Sequence, residues 1–239
     1  MSILLFDVDG TLTVPRNKIT PEMIAKLQEA KKYFKIGIVG GSDLSKQKEQ
    51  LGNGVLEFFD YTFAENGLHA FKGTQLLKCQ SIVDYLGETK LTYLINRILY
   101  LLSHIDIPKR GTFIEFRNGM LNVSPIGRNC SQTERDAFEQ YDNEHKIREK
   151  LVKVLSEEFI EYGLKYSIGG QISFDIFPIG WDKTYCLQFL EHFDTIHFFG
   201  DKTSAGGNDY EIYNHPRTIG HNVNNWNETV AIIDSLIVS

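Results

Sequence analysis

Four apolar residues, Leu4, Leu5, Phe6 and Val8, bracket Asp7 near the start of the chain, so "LLFDVDGTLT" predicts a buried strand that delivers Asp7 and Asp9 into a Gly-Thr turn. The pattern turns helical in "ITPEMIAKLQEAKKYF". Thr20 is placed as N-cap and Pro21 at the first helical position, with Ile24, Leu27 and Ala30 on one buried face. "KIGIVGGSD" is again a short apolar strand, Ile36 to Val39, running into glycines, Ser42 and Asp43; a helix to about Leu51-Gly52 and a third strand, "YTFAENG", follow. Strand and helix in alternation predict a parallel sheet with right-handed crossovers.

The middle third changes period. Residues 81 to 104 read as a helix with Leu91, Leu94, Ile95, Ile98 and Leu102 on one face, and "TFIEFRNGMLNVSPIG" as two strands joined by an Asn118-Gly119 turn. Ser131 and Glu134 form a capping-box pattern that opens a charged helical region to about Gly163, and "KYSIGGQISFDIFPIGW" supplies a second hairpin about Gly169-Gly170. From Asp182 the first pattern resumes: a helix through Leu187 and Leu190, a strand "TIHFFGD", a glycine-rich loop "GGND", a strand "RTIGHNV" and a closing helix from about Asn227. The expected architecture is α/β, with a parallel-sheet core at residues 1–81 and 183–239 and an α+β insertion at 82–182.

Composition narrows the function. The formal net charge of -6 argues against nonspecific nucleic-acid binding, which draws on a basic stripe. Cys79, Cys130 and Cys186 lie far apart without zinc or redox spacing and read as reduced thiols of an intracellular protein. Asp7 interrupts the only apolar run near the amino terminus and no window approaches a membrane span, so a cytoplasmic location is expected.

In an open parallel sheet the ligand crevice lies at the carboxyl ends of the strands, where residues far apart in sequence meet. Here those residues are Asp7, Asp9 and Thr11 after the first strand, Ser42 after the second, Lys183 at a helix start, and Asp201, Asn208 and Asp209 around the last glycine loop. Carboxylates, a hydroxyl and an ammonium suit Mg²⁺ and a phosphoryl group. Asp7 is the expected nucleophile, forming an aspartyl phosphate, and Asp9 the general acid and base.

D-x-D-G-T after a strand, a strand-end Ser, a Lys and G-D-x-x-x-x-x-x-N-D together resemble the signature of haloacid-dehalogenase-type phosphotransferases. "DVDGTLTVPR", "GGSD", "FIEFRNGMLNVSPIGR", "GGQISFDIFP", "GWDK", "FFGDKT" and "GGND" extend the similarity, over nearly the whole chain, to the eukaryotic phosphomannomutase family. That resemblance implies a Rossmann-like core with a substrate-binding cap. It implies interconversion of mannose 6-phosphate and mannose 1-phosphate for GDP-mannose synthesis, with Mg²⁺ held by Asp7, Asp9 and Asp201 and a hexose 1,6-bisphosphate as activator. It carries substrate binding onto Arg16, Arg117, Arg128, Arg135, Ser173 and Asp175, a secondary cation site onto Tyr213, His215 and Thr218, and a homodimer contact onto the insertion. His215 stands where the family commonly has Asp.

The residues bear on these implications independently. Ser173 and Asp175 share one strand face while Ile172, Phe174 and Ile176 share the other. Between Pro108 and Arg135 five Lys and Arg face two Glu, a cationic stretch in an acidic chain. Taken alone, Arg117 beside an Asn-Gly turn would be a solvated hairpin tip and Arg135 an ordinary helix-surface ion pair. "GIVGGSD" lacks the G-x-G-x-x-G spacing of a dinucleotide site, and His69, His104, His145, His192, His197 and His221 lack metal-ligand spacing. The competing functions are a sugar-phosphate phosphatase with the same aspartates, and a non-enzymatic phosphorylation sensor, which would not need Asp9 as an acid.

Overall fold

The computed structural model describes residues 1–238 of the 239-residue chain, which divide into two compact units: Met1–Cys79 together with the stretch from Gly180 onward, and Gln80–Ile179. Strand β1 (Ser2–Phe6) is buried from Ile3 to Phe6. In helix α1 (Pro21–Ala30) the Thr20 hydroxyl accepts from the Met23 N–H at 3.2 Å, and Pro21 occupies a position that needs no donor. Its buried face is Met23, Leu27 and Ala30, so the stripe is centred one position before Ile24, which is only half-buried.

Strand β2 (Lys35–Val39), helix α2 (Leu44–Leu51), the short helix α3 (Val55–Phe58) and strand β3 (Tyr61–Ala64) continue the alternation, with Asp43 capping α2 and Gly52 ending it. Strands β4 (His69–Lys72) and β5 (Gln75–Cys79) were not expected from the apolar pattern. β5 is a sheet edge that exposes Gln75, Leu76, Lys78 and Cys79, so burial imposes no alternation on its sequence.

The helix expected over 81–104 is two, α4 (Ile82–Leu86) and α5 (Glu88–Ser103), because Gly87 adopts φ +76° between them. Strands β6 (Ile114–Phe116) and β7 (Leu121–Val123) form the first hairpin, closed by the Arg117 N–H donating to Met120 C=O at 2.9 Å. The Ser131–Glu134 capping box opens α6 (Gln132–His145), but the helical path breaks at Lys146, in the left-handed region at φ +55°, before α7 (Ile147–Glu158). Asp142 accounts for the break: near the end of α6, its carboxylate accepts from the main-chain N–H of Arg148 at 2.8 Å and from the Arg148 Nε at 2.7 Å. The second hairpin is β8 (Leu164–Gly169) and β9 (Ser173–Pro178).

These four strands form an antiparallel sheet in the order β6-β7-β9-β8. One face packs Leu121, Phe174 and Ile176 against Leu94, Ile98 and Leu155 of the helices. On the other face Glu115, Asn122, Asp175 and Ser167 stand in register across the strands, giving a polar row one residue per strand wide.

The first unit resumes with Lys183–Leu190, a 3₁₀ helix rather than the expected α-helix; Asp182 tightens its first turn by accepting from the Thr184 N–H at 2.9 Å. Strand β10 (Thr195–Gly200), helix α8 (Tyr210–Tyr213), strand β11 (Thr218–Asn222) and helix α9 (Trp226–Val238) complete the chain. The seven-stranded sheet runs β11-β10-β1-β2-β3-β4-β5, parallel from β11 to β3 and antiparallel beyond. Leu4 and Phe6 enter one apolar layer with Leu27 and Ile233, Ile3 and Leu5 the other with Phe63 and Leu190. Covered on both faces, β1 also marks the point where the strand order reverses, with β10 on one side and β2 on the other, and there α/β sheets open a ligand crevice.

Candidate active site

Asp7 is the residue after β1, its N–H donating to Phe199 C=O of β10 at 2.9 Å, so its position is fixed by the sheet itself. The buried Lys183 ammonium donates to Oδ1 of Asp7 and to Oδ1 of Asp209. Asp209 is completely buried and its Oδ2 accepts from the Lys202 N–H at 3.0 Å. Oxygens of Asp7, Asp201 and Asp209 all lie within 4.8 Å of one another. Gly10 permits this: it adopts φ +82°, and a Cβ there would come within 2.4 Å of Asp201 Oδ2.

Asp7 and Asp209 share the Lys183 ammonium and the half-buried Asp201 stands beside them, leaving surplus negative charge in the site. Burial, with the charges of Asp209 and Asp201 added, outweighs the pull of Lys183 and pushes the Asp7 carboxyl up to about 7. Burial also opposes a charge on Lys183, but the carboxylates of Asp7 and Asp209 hold its pKa above the usual lysine value. Asp201 is raised by burial and by Asp209. An oxygen-only donor set short of positive charge fits a hard divalent cation.

Asp9 is half-buried and lies outside that cluster. Its Oδ1 accepts from Gln50 Nε2 of α2 at 2.8 Å and from the main-chain N–H of Arg16 at 2.7 Å. Arg16 itself sits at φ +66° with an exposed side chain, so its observed contact with the site is through the backbone. Thr11 is buried with its hydroxyl lacking a protein partner. Ser42, half-buried after β2, is held by its carbonyl, which accepts from the Glu65 N–H at 2.9 Å. Asn208 is exposed. Tyr213, His215 and Thr218 share the turn between α8 and β11, where the Thr218 hydroxyl donates to the carbonyls of Ile212 and, at 3.0 Å, His215. Among the described residues, Asp7, Asp201 and Asp209 are the one group of three or more acidic, His or Cys side chains spaced to hold a metal.

In the second unit the polar sheet face gathers most of the remaining candidates. Arg117 Nη2 donates to Glu115 Oε2 at 2.9 Å, and Arg128 Nε is ion-paired with the same oxygen at 2.8 Å. Arg128 Nη1 also donates to Asn122 Oδ1, and Asn122 Nδ2 donates to Asp175 Oδ1 at 2.6 Å and to Ser173 Oγ at 3.2 Å. Arg135 joins indirectly, its Nη2 donating to Arg128 C=O at 3.0 Å. Burial raises the Asp175 carboxyl against the opposing hydrogen bond from Asn122, whereas the hydrogen bond from Arg117 lowers that of Glu115.

Glu115, Asn122 and Gln50 are the participants that the sequence reading did not single out. Asn122 had a signal, a lone amide between Leu121 and Val123 in a buried strand, where an unpaired polar group would be costly.

A parallel sheet whose first strand presents a carboxylate to an ammonium carried by the returning half of the chain is the organisation of haloacid-dehalogenase-type phosphotransferases. Comparison with known proteins narrows the class: the chain belongs to the eukaryotic phosphomannomutase family, whose model, described as "Eukaryotic phosphomannomutase", matches residues 23–239. The phosphomannomutase of Arabidopsis thaliana is 60% identical over 238 residues, covering 99% of this chain and 97% of its own. That of Dendrobium officinale is 61% identical over 228 residues, covering 95% and 90%. Among solved structures, an N-terminally truncated, IMP-bound IMP-nucleotidase of Plasmodium falciparum covers 100% of this chain and 68% of its own with a TM-score of 0.63. At 17% identity that likeness establishes the fold alone.

Proposed function

We propose that this chain is a phosphomannomutase that interconverts mannose 6-phosphate and mannose 1-phosphate through an aspartyl phosphate on Asp7 and a hexose 1,6-bisphosphate intermediate, the product serving GDP-mannose synthesis. The observation that carries the activity is 60% identity over 99% of the chain to a protein of that name. In this mechanism Lys183 occupies Oδ1 of Asp7 and leaves Oδ2 to attack phosphorus, and the bond from phosphorus to the sugar oxygen breaks. Asp9 gives its proton to that leaving oxygen, then removes a proton from the free hydroxyl of a hexose monophosphate, which takes the phosphoryl group from Asp7 to form the hexose 1,6-bisphosphate. Gln50 and the Arg16 N–H orient Asp9 for both transfers. Ser42 and Lys183 bind the phosphoryl oxygens. Asp7, Asp9 and Asp201, with Asp209 beside Asp7 and Asp201, would hold Mg²⁺, whose charge would neutralise the transferring group.

A mutase must also hold the phosphate that is not reacting and keep water from the intermediate. Arg117, Arg128 and Arg135 are assigned the anionic end of the sugar, and Ser173 and Asp175 its hydroxyls. A hexose 1,6-bisphosphate primes Asp7. A cytoplasmic homodimer through the second unit completes the proposal, supported by α5, which exposes Tyr93, Leu99 and Tyr100 at 64%, 45% and 56% while burying its other face.

The test is a coupled assay with mannose 1-phosphate and catalytic bisphosphate. Rapid isomerisation without matching phosphate release supports the mutase; stoichiometric release of inorganic phosphate would make the chain a phosphatase instead.

A further inference from the structure

Arg117 and Arg128 reach the polar face of the antiparallel sheet from different backbones. Arg117 follows β6 at the hairpin, and Arg128 lies in the loop beyond β7. No strand register sets one guanidinium relative to the other. What joins them is a single atom, Glu115 Oε2, which accepts from Arg117 Nη2 at 2.9 Å and is ion-paired with Arg128 Nε at 2.8 Å.

Glu115 is at the centre of the three-residue edge strand β6, in register with Asn122, and Asn122 in turn receives Arg128 Nη1. The carboxylate thus sits two residues from Arg117 on the same strand face and next to the amide that anchors Arg128. A guanidinium carries five N–H donors, and hydrogen bonds to oxygen use one of Arg117 and one of Arg128, so most of both forks remains for another anion.

We propose that Glu115 is a positioning residue for phosphate binding: its carboxylate clamps Arg117 and Arg128 side by side so that their unused N–H edges form one preorganised site for the sugar phosphate that is not being transferred. This rests on the phosphohexomutase function proposed above. Two opposite effects compete. As an anion, Glu115 screens the arginines and repels phosphate; as a shared counter-ion, it keeps two like charges close and removes the rotamer freedom each would otherwise lose on binding. Geometry decides for the second, because one carboxylate oxygen meets both guanidinium groups and leaves the forks largely unpaired. Its side chain is 36% exposed, so screening by water weakens its repulsion of an incoming anion.

The experiment is steady-state kinetics on full-length Glu115→Ala and Glu115→Gln with mannose 1-phosphate, alongside thermal unfolding. Glu115→Ala is expected to raise KM about tenfold with kcat changed by less than about threefold, the pattern of lost uniform binding. Glu115→Gln keeps an acceptor oxygen and is expected to restore more than half of that loss on a logarithmic scale; if the alanine variant is poorly folded, the glutamine variant alone decides, by a KM above wild type. In an Arg117→Ala/Arg128→Ala background, Glu115→Ala should have no further effect on KM. An unchanged or lowered KM in both Glu115 variants overturns the proposal, as does an undiminished effect without the arginines. Should Arg128→Ala leave KM unchanged, the assignment of this face to phosphate fails as well, which separates that failure from one confined to Glu115.

Discussion

The ammonium of Lys183 donates to the carboxylate of Asp7 although 176 positions separate the two residues. The intervening chain contains a complete second unit, Gln80–Ile179, with its own apolar core. The pair is therefore made by the fold of the first unit alone, in which β10 lies beside β1 and the turn from Lys183 leads into β10.

Replacing Lys183 with Met leaves Asp7 and Asp209 buried without their shared cation. Loss of one member of a buried ion pair costs about 3–5 kcal/mol. Thermal unfolding of metal-free protein is expected to shift down accordingly, and turnover to be lost. An unchanged melting temperature would show that the ammonium does not compensate the cluster.

Gly10→Ala places a methyl group where Asp201 Oδ2 now lies, in a backbone conformation that strains L residues. The expected outcome is weaker Mg²⁺ binding, measured by calorimetry, with a stability loss of about 1–3 kcal/mol. Wild-type affinity would remove Asp201 from the cation site.

Gln50→Leu withdraws the side-chain donor that holds Asp9 Oδ1. As Gln50 acts through Asp9, kcat is expected to fall about 10–100-fold with little change in KM, and Asp9→Asn to abolish turnover while leaving Mg²⁺ binding largely intact. Near-normal turnover of Asp9→Asn contradicts the acid-base assignment.

His197 Nδ1 and His221 Nε2 are 2.9 Å apart on the neighbouring strands β10 and β11. Burial, with the charge of His197 added, lowers the His221 pKa from 6.5 to about 4. The folded state then binds fewer protons than the unfolded state between those values, so stability falls as pH drops from about 6.5 towards 4 and is fully present above that window. For a half-buried pair, solvent screening reduces the effect to roughly 1 kcal/mol. His221→Gln should flatten this part of the melting-temperature profile; an unchanged slope would assign it to other groups.

Where burial constrains both faces of an element, the sequence was easy to interpret. β1, β2 and β10 are apolar runs ending in glycine or carboxylate, and their convergence on one sheet edge followed from parallel topology. β5 was invisible because its side chains face solvent, and the breaks at Gly87 and Lys146 were missed because the segments before them bury too few apolar residues to define a phase, Ile82 and Leu86 in one case and Phe138 in the other. Asp7, Lys183, Asp201 and Asp209 were recognisable as strand-end chemistry. Glu115 was not, and Asn122 showed only as a lone amide in a buried strand, since their contacts with arginines depend on strand register and on a loop returning over the sheet.

The central claim is that Asp7 carries the phosphoryl group. It is tested most directly by mixing the enzyme with glucose 1,6-bisphosphate, quenching within milliseconds and mapping the modified peptide by mass spectrometry. A single phosphoryl adduct on Asp7, absent from Asp7→Asn, is the predicted result. An adduct on another residue, or none during full conversion of substrate, contradicts it.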